Sequence, residues 1–148
     1  MGCSCNIFKK LNYFALDEFL SSETALLKKI ANLPTFENVC NIYDLASLLD
    51  KIREKWGKAI NVSSGFRCPE LNKAVGGVSN SGHLTGFAAD LQSKDLDGLY
   101  KFMKDYLEDN NILFDELLFE KSGNSRWIHF SLYSIDGKQR KKMLTLTV

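Results

Sequence analysis

The chain contains two histidines, His83 and His129, and they limit the chemistry that it can perform. Zinc is bound through imidazole nitrogen and carboxylate oxygen, and a catalytic zinc site has three protein ligands and one open position. Two histidines cannot supply three ligands, so the third must be a carboxylate or a cysteine. Asp90 follows His83 across a short loop in which Gly82 and Gly86 permit a tight backbone. This pair predicts a metal site, and His129 is the only other imidazole that could complete it.

An isolated His and Asp more often belong to an ordinary surface loop, but here the whole segment 81–90 matches the pattern S-x-H-x-x-G-x-A-x-D. That segment resembles the zinc D-Ala-D-Ala carboxypeptidases and their phage-lysin relatives, which share the Hedgehog/DD-peptidase fold. Residues 63–67 (SSGFR), 71–78 (LNKAVGGV) and 127–131 (WIHFS) are also similar to segments of that family, as are residues 13–25 at the N-terminus. The resemblance covers most of residues 13–133. It implies that His83, Asp90 and His129 bind Zn²⁺.

The catalytic base, which transfers the proton during hydrolysis, does not stand where many of these relatives carry it. Many relatives carry the catalytic base as H-x-H or E-x-x-H, but here those positions are Trp127 and Arg126, which cannot serve. If the two strands before and after the turn pair as a hairpin, Glu120 lies near His129 on the face away from the core. A compact subgroup of the family has a similar strand, F-D-Q-L-I-x-E, in which Glu120 matches the glutamate and Glu116 replaces the glutamine. Glu120 is the first candidate and Glu116 the second; the alternatives are a charge at a hairpin end and a solvated strand residue.

Three residues are candidates for substrate binding. Arg67 follows a strand, and the resemblance implies that its guanidinium holds a carboxylate of the substrate, although a surface ion pair is the alternative. Ser81 could bind the same carboxylate or brace the loop. Trp127 could form a cleft wall or be packed in the sheet. The basic residues within 138–142 could touch an anionic cell wall, but such a run is usually a solvated face.

The spacing of apolar residues predicts the elements that must position these groups. The predicted helices cover residues 13–32 in two pieces, 36–56, 69–74 and 96–107. The predicted strands cover 59–63, 87–91, 114–120 and 127–133, with an edge strand over 144–148. Helices come first and strands later, which is typical of the α+β class. The resemblance implies N-terminal helices packed on a small, mainly antiparallel sheet. We expect one domain over residues 1–148, with 1–12 as a flexible N-terminal segment.

Composition excludes several classes of protein. Lys and Arg number 19 against 18 Asp and Glu, so we expect no nucleic-acid partner and no membrane insertion. No apolar run approaches the length of a membrane span, and no signal peptide is evident. The four cysteines, Cys3, Cys5, Cys40 and Cys68, lack zinc-knuckle spacing. We interpret them as free thiols, and a Cys40–Cys68 disulfide is the open alternative.

The resemblance implies a monomeric zinc metallopeptidase that hydrolyses peptidoglycan stem peptides or cross-links, of D-Ala-D-Ala carboxypeptidase or endopeptidase type. We expect synthesis in the cytoplasm and action on the cell wall after holin-type release or lysis, as in a phage endolysin; a bacterial cytoplasmic dipeptidase also fits. The rival hypothesis is a catalytically inactive, zinc-containing module that binds the cell wall or forms part of a virion, because the H-x-H and E-x-x-H bases are missing. A third hypothesis is a structural α+β protein without metal.

Overall fold

A computed structural model describes residues 10–148 of the protein. Its α-helices are α1 (Glu23–Lys28), α2 (Phe36–Trp56), α3 (Pro69–Ala74) and α4 (Leu96–Asp109). Its strands are β1 (Asn61–Ser64), β2 (Ala88–Gln92), β3 (Glu116–Ser122), β4 (Ser125–Ser131) and β5 (Lys142–Thr147). Short 3₁₀ helices cover Leu16–Phe19 and Gly82–Leu84. The predicted α+β class is confirmed, and all four α-helices precede the last three strands in the chain.

The strands form one sheet in the order β1-β2-β4-β3-β5. β1 with β2, β2 with β4, and β3 with β4 are antiparallel, whereas β5 lies parallel to β3 at the edge. The mainly antiparallel sheet and the predicted edge strand are therefore both confirmed. β5 is parallel because the chain leaves the end of β4 beside the start of β3 and crosses to the far side. Asp115 holds this crossing, since its carboxylate accepts hydrogen bonds from the Arg140 side chain and its carbonyl accepts one from the Lys142 backbone.

The core lies between one face of the sheet and the two long helices. α2 begins at a Thr35 cap, whose hydroxyl accepts a hydrogen bond from Asn38 N, and it ends at Gly57, which has a φ of 76°. The predicted end of this helix at Gly57 is confirmed. Side chains that are fully buried in the core come from α2, α4, β3 and β4: Leu45, Leu49, Ile52, Leu99, Met103, Leu107, Leu117, Ile128 and Phe130. Each contributes about 1.5–3 kcal/mol of transfer free energy, so this layer fixes the sheet that carries the site.

The N-terminal region differs from the prediction. Residues 13–32 form one 3₁₀ turn and the single short helix α1, which ends at Lys29 with a φ of 55°. Leu26 and Leu27, which were expected to continue an apolar helix face, are 81% and 77% exposed, and only Ala25 of α1 is buried. Residues one or two apart do not share a helix face, so the face that buries Ala25 leaves Leu26 and Leu27 exposed. The strand bounds differ from the predicted ones by one or two residues.

The cysteine interpretation is partly wrong. Cys40 is buried and disulfide-bonded, whereas Cys68 has a free thiol, so these two do not pair with each other. Cys3 and Cys5 lie outside the described residues, as does most of the predicted flexible segment 1–12. At the end of that segment, Leu11 packs against the core and Asn12 N donates to the Asp50 carboxylate on α2. No helix among the described residues is long and apolar enough to cross a membrane.

Candidate metal centre and catalytic cleft

His83, Asp90 and His129 converge on one point. Asp90 on β2 and His129 on β4 are direct partners across the antiparallel ladder, and Asp90 Oδ1 lies 3.0 Å from His129 Nδ1. His83, from the 3₁₀ helix before β2, approaches from the other side, and its Nε2 lies 3.4 Å from the same Oδ1. One ligand atom from each residue lies within 4.8 Å of the other two. The sequence-predicted trio is thus brought together by the sheet register.

The orientation of the His83 ring is fixed from its far side. His83 Nδ1 lies 2.7 Å from the carbonyl oxygen of Gly65, which can only accept, so Nδ1 carries the proton and Nε2 keeps its lone pair. The Ser81 hydroxyl accepts a hydrogen bond from His83 N, and Arg67 N donates to the His83 carbonyl. Position 65 must be glycine, because a Cβ there would overlap the backbone of Phe19. The contact between His83 and the Gly65 carbonyl was not predicted from the sequence.

The loop between His83 and Asp90 is anchored to α2. The Thr85 carbonyl accepts hydrogen bonds from the side-chain amides of both Asn38 and Asn41. Gly86 has a φ of 90°, and a Cβ at this position would lie 2.7 Å from the Asn38 carbonyl oxygen. The predicted role of Gly86 in a tight backbone therefore has two physical causes, a positive φ and a close helix.

Charges within the trio favour an ionised Asp90. Burial alone would raise the pKa of this carboxyl, but the adjacent His83 and the hydrogen bond with His129 lower it well below its ordinary range. Burial would lower the pKa of His129, and the hydrogen bond and negative charge of Asp90 outweigh burial and raise it. The site therefore places an ionised carboxylate oxygen between two imidazoles, and a metal bound there would replace the proton of the Asp90–His129 hydrogen bond.

The predicted hairpin between β3 and β4 is formed, and it places two glutamates on the same face as His129. Leu118 is the direct partner of His129, so Glu116 and Glu120 lie diagonally on either side. Glu120 Oε1 lies 4.0 Å from His129 Nδ1, the nitrogen that faces Asp90. Glu116 Oε1 lies 3.7 Å from Nε2, on the opposite edge of the ring. Of the two glutamates, only Glu120 approaches the edge of the ring that faces Asp90.

Burial also affects the acidity of Glu120. It raises the pKa of this carboxyl, and the charges of Asp90 and Glu116 raise it further, against the opposing effect of the His129 and His83 imidazoles. A carboxyl with a raised pKa is a better proton acceptor than an ordinary surface glutamate.

Arg67 is part of a hydrogen-bond network next to Asp90. Its Nε and Nη2 donate to the Ser64 hydroxyl, its Nη1 donates to Asn72 Oδ1, and Nη2 lies 3.7 Å from Asp90 Oδ2. Asn72 is buried, and its amide nitrogen donates to the Val78 carbonyl. The guanidinium is thus oriented on three sides. Ser64 and Asn72 were missed by sequence reasoning, although Asn72 stands within the family-like segment 71–78.

The other two sequence-predicted substrate residues lie near the trio. Ser81 caps the 3₁₀ helix that carries His83, an arrangement that supports its bracing role. Trp127 is half-buried and pairs with Glu120 across the hairpin, on the face that carries His129.

The basic run near the C-terminus is largely neutralised. Arg140 Nε lies 2.8 Å from Asp115, Lys138 lies 3.4 Å from Asp136, and Lys142 lies 3.9 Å from Glu116. These ion pairs argue against a free cationic surface that could bind an anionic cell wall.

The donor set fits zinc. Two imidazole nitrogens and one carboxylate oxygen are zinc ligands, three protein ligands are the number found in catalytic sites, and the Gly65 carbonyl fixes the tautomer that presents His83 Nε2 to a metal.

Comparison with known proteins agrees with this geometry. A family model described as Peptidase M15 matches residues 12–131, which include every residue of the trio and both glutamates. A search of curated proteins finds no match to the chain. The resemblance noted in the sequence is therefore confirmed over most of the chain, together with the α+β fold that it implies. The chain belongs to the peptidase M15 family.

Proposed function

We propose that the protein is a zinc peptidase that hydrolyses peptide bonds in peptidoglycan stem peptides or cross-links. One observation carries this proposal: the donor atoms of His83, Asp90 and His129 lie within 4.8 Å of one another. Glu120 Oε1 approaches the edge of the His129 ring that faces Asp90. Family membership supports a zinc-dependent peptidase. The wall peptide as substrate rests on the resemblance of the sequence motifs.

His83 Nε2, Asp90 Oδ1 and His129 Nδ1 would hold the zinc. When bound, Zn²⁺ supplies Lewis acidity, which polarises a carbonyl and makes water more acidic near neutral pH. The Gly65 carbonyl keeps the proton on His83 Nδ1, and Arg67, braced by Ser64, keeps Asp90 Oδ2 oriented. These contacts hold the donors in place before substrate arrives.

Glu120 would transfer the proton. In hydrolysis, the hydroxyl of water adds to the carbonyl carbon, the C–N bond breaks, and the proton from water goes to the leaving nitrogen. Glu120 Oε1 would take that proton and deliver it to the leaving amine. The raised pKa that burial gives Glu120 supports both halves of this transfer. Glu116 faces the other nitrogen of His129, at 3.7 Å, and would orient the ring instead.

Arg67 would receive a carboxylate of the substrate. Its side chain is 17% exposed, and it lines a cavity of about 230 Å³ together with Ser22, Glu23 and Ser64. A guanidinium whose position is fixed by hydrogen bonds loses little freedom when it binds a carboxylate. Trp127, half-buried beside Glu120, would form a wall of the cleft, and Ser81 would brace the loop.

The experiment is digestion of purified peptidoglycan with the zinc-loaded protein. Release of new free amino groups, followed by mass spectrometry of the soluble muropeptides, would establish hydrolysis and identify the bond. Binding to the wall without release would contradict the enzyme and favour the rival wall-binding module. The proposal includes a role as a phage lysin, which loss of turbidity in a suspension of permeabilised bacteria would test.

A further inference from the structure

We propose that Arg140 and Lys142 are positioning residues for the metal centre, because they hold the Glu116 carboxylate where it orients the His129 ring. The inference rests on the proposed function, since it extends the role given there to Glu116. Both cations lie beyond residue 131, where the match to the family model ends, so family membership does not supply them.

The sheet brings the ring, the carboxylate and the lysine into one row across three strands. Glu116 on β3 lies diagonally opposite His129 on β4, and it is the direct partner of Lys142 on β5. Side chains of paired residues project from the same face of a sheet. Lys142 therefore lies on the face that carries the trio.

The two carboxylate oxygens of Glu116 face different partners. Oε1 lies 3.7 Å from His129 Nε2. Oε2 lies 3.7 Å from Arg140 Nη2 and 3.9 Å from Lys142 Nζ. With His129 Nδ1 as the metal ligand, Nε2 carries the ring proton and faces an oxygen that can only accept it. The cations thus fix one oxygen of Glu116, and the other is left to orient the ring.

Glu116 depends on these cations for its position. Its carboxylate forms ion pairs but accepts no hydrogen bond from any residue that the structure describes. The side chain borders a cavity of about 300 Å³, so it has room to turn away from His129. Its charge also acts on the Glu120 carboxyl, and like charges repel. The attraction of Arg140 and Lys142 opposes both the repulsion and the turn into the cavity.

The two cations approach Glu116 from a backbone that three strands hold in place. Arg140 Nε and Nη2 donate to the Asp115 carboxylate at 2.8 and 2.9 Å, and that side chain is 1% exposed. The Asp115 carbonyl accepts a hydrogen bond from Lys142 N, and Asp115 N donates to the Ser131 carbonyl. The start of β5 is therefore fixed against β3 and β4, and Arg140 and Lys142 with it.

The test is a double-mutant cycle between Lys142→Met and Glu116→Gln, with zinc affinity measured by competition with a chromogenic chelator. Methionine is unbranched like lysine but carries no charge. We expect Lys142→Met to weaken zinc binding about twofold to fivefold, and to have no effect in the Glu116→Gln background. Lys142→Arg should keep the wild-type affinity, because it keeps the cation. Lys142→Gln covers the case in which methionine perturbs the exposed edge strand.

Lys141→Met is the matched control. It removes the same charge one residue away, and Lys141 forms no ion pair with any residue in the described part of the chain. Its zinc affinity should therefore stay at the wild-type value. Arg140→Gln also leaves the buried Asp115 unpaired, so its melting temperature should fall. Only its cycle with Glu116→Gln is therefore informative, and we expect those two changes also to be non-additive in zinc affinity.

A spectroscopic measurement separates positioning from a structural role. In the zinc-loaded protein, the Nε2 proton of His129 should give a ring resonance that shifts in Lys142→Met. The Nδ1 proton of His83, which faces the Gly65 carbonyl, is the internal reference and should not shift. The melting temperature of Lys142→Met should change little, because the Lys142 side chain is 43% exposed.

The outcomes separate this proposal from the peptidase function. Additive effects of Lys142→Met and Glu116→Gln would overturn the proposal, as would equal losses of affinity in Lys142→Met and Lys141→Met, or a wild type that binds no zinc. A lower melting temperature of Lys142→Met with unaltered zinc affinity and an unshifted His129 resonance would overturn it in favour of a structural role. Release of amino groups from peptidoglycan is measured on the same proteins. A non-additive cycle without hydrolysis would support the positioning role and overturn the peptidase, whereas hydrolysis with an additive cycle would overturn the positioning role alone.

Discussion

Replacing Glu120 by glutamine should separate proton transfer from metal binding. Glutamine has the size of glutamate but cannot accept a proton at the position 4.0 Å from His129 Nδ1. General acid–base catalysis contributes about 10²- to 10⁴-fold, which corresponds to about 3–5.5 kcal/mol of activation free energy. We therefore expect kcat in Glu120→Gln to fall by that factor while the zinc content stays at one ion per chain.

Glu116→Gln is the matched control, since the two glutamates lie diagonally on either side of His129. Its Oε1 is 3.7 Å from Nε2, the nitrogen away from Asp90, so its loss should affect ring orientation and zinc affinity. Loss of such an orienting carboxylate costs about 10- to 100-fold in metal affinity or activity. Glutamine also stands at this position in the F-D-Q-L-I-x-E strand that the chain resembles, which favours the lower end of that range.

The assay is release of amino groups from purified peptidoglycan, with zinc measured by elemental analysis and zinc affinity by competition with a chromogenic chelator. A near wild-type kcat in Glu120→Gln would refute our reasoning. A larger loss of kcat in Glu116→Gln than in Glu120→Gln would exchange the roles of the two glutamates. Loss of zinc in Glu120→Gln would show that this residue acts on the metal and not on the proton.

Three further predictions concern stability. Removal of zinc by a chelator should lower the melting temperature by about 5–10 °C, as expected for about 2.7 kcal/mol of ligand stabilisation. The far-ultraviolet circular dichroism should stay constant, because the apolar core lies on the other face of the sheet. Asp115→Asn should cost about 2 kcal/mol in urea unfolding; burial would raise the pKa of Asp115, but hydrogen bonds from Arg140 outweigh it and lower that pKa. This stabilisation should be fully present above about pH 4 and be lost gradually as the pH falls through the lowered folded-state pKa of Asp115. Gly77→Ala should cost about 1–3 kcal/mol, because its Cβ would overlap the buried Asn72 Oδ1 that accepts from Arg67.

Each of these predictions has its own control. Readdition of zinc should restore the melting temperature, and unfolding of the chelated protein would contradict an independent core. Asp136→Asn changes the same residue type at an exposed pair and should cost little. A cost of Asp115→Asn that does not decrease at all as the pH falls below about 4 would contradict a charge effect. Gly76→Ala meets no atom within 4 Å and should cost only the strain of its φ of 75°. Equal costs at positions 76 and 77 would refute the overlap.

Local patterns were sufficient for much of the site. The segment 81–90 and the alternation along β4 predicted His83, Asp90 and His129, and the hairpin predicted that Glu120 shares their face. The structure brings these side chains together because strand alternation determines the face on which each one lies, and their roles as ligands and base stay predictions. The choice of Glu120 over Glu116 stays a prediction until the variants are measured.

What sequence reasoning missed depends on contacts that no local pattern encodes. The carbonyl of Gly65 orients His83, but a backbone carbonyl is present at every residue and gives no signal. The exposure of Leu26 follows from the side of α1 that buries Ala25, and the parallel placement of β5 follows from where β4 ends.

The trio is assembled from distant parts of the chain. Asp90 and His129 are 39 residues apart, and His83 and the Gly65 carbonyl are 18 apart. Metal affinity therefore depends on completed strand pairing, and zinc cannot nucleate folding as it does in a zinc finger. A slip of one residue between β2 and β4 would turn Asp90 toward the core and abolish the site. Zinc binding at the proposed site would thus report on correct strand register, and we expect it to follow strand pairing as the chain folds.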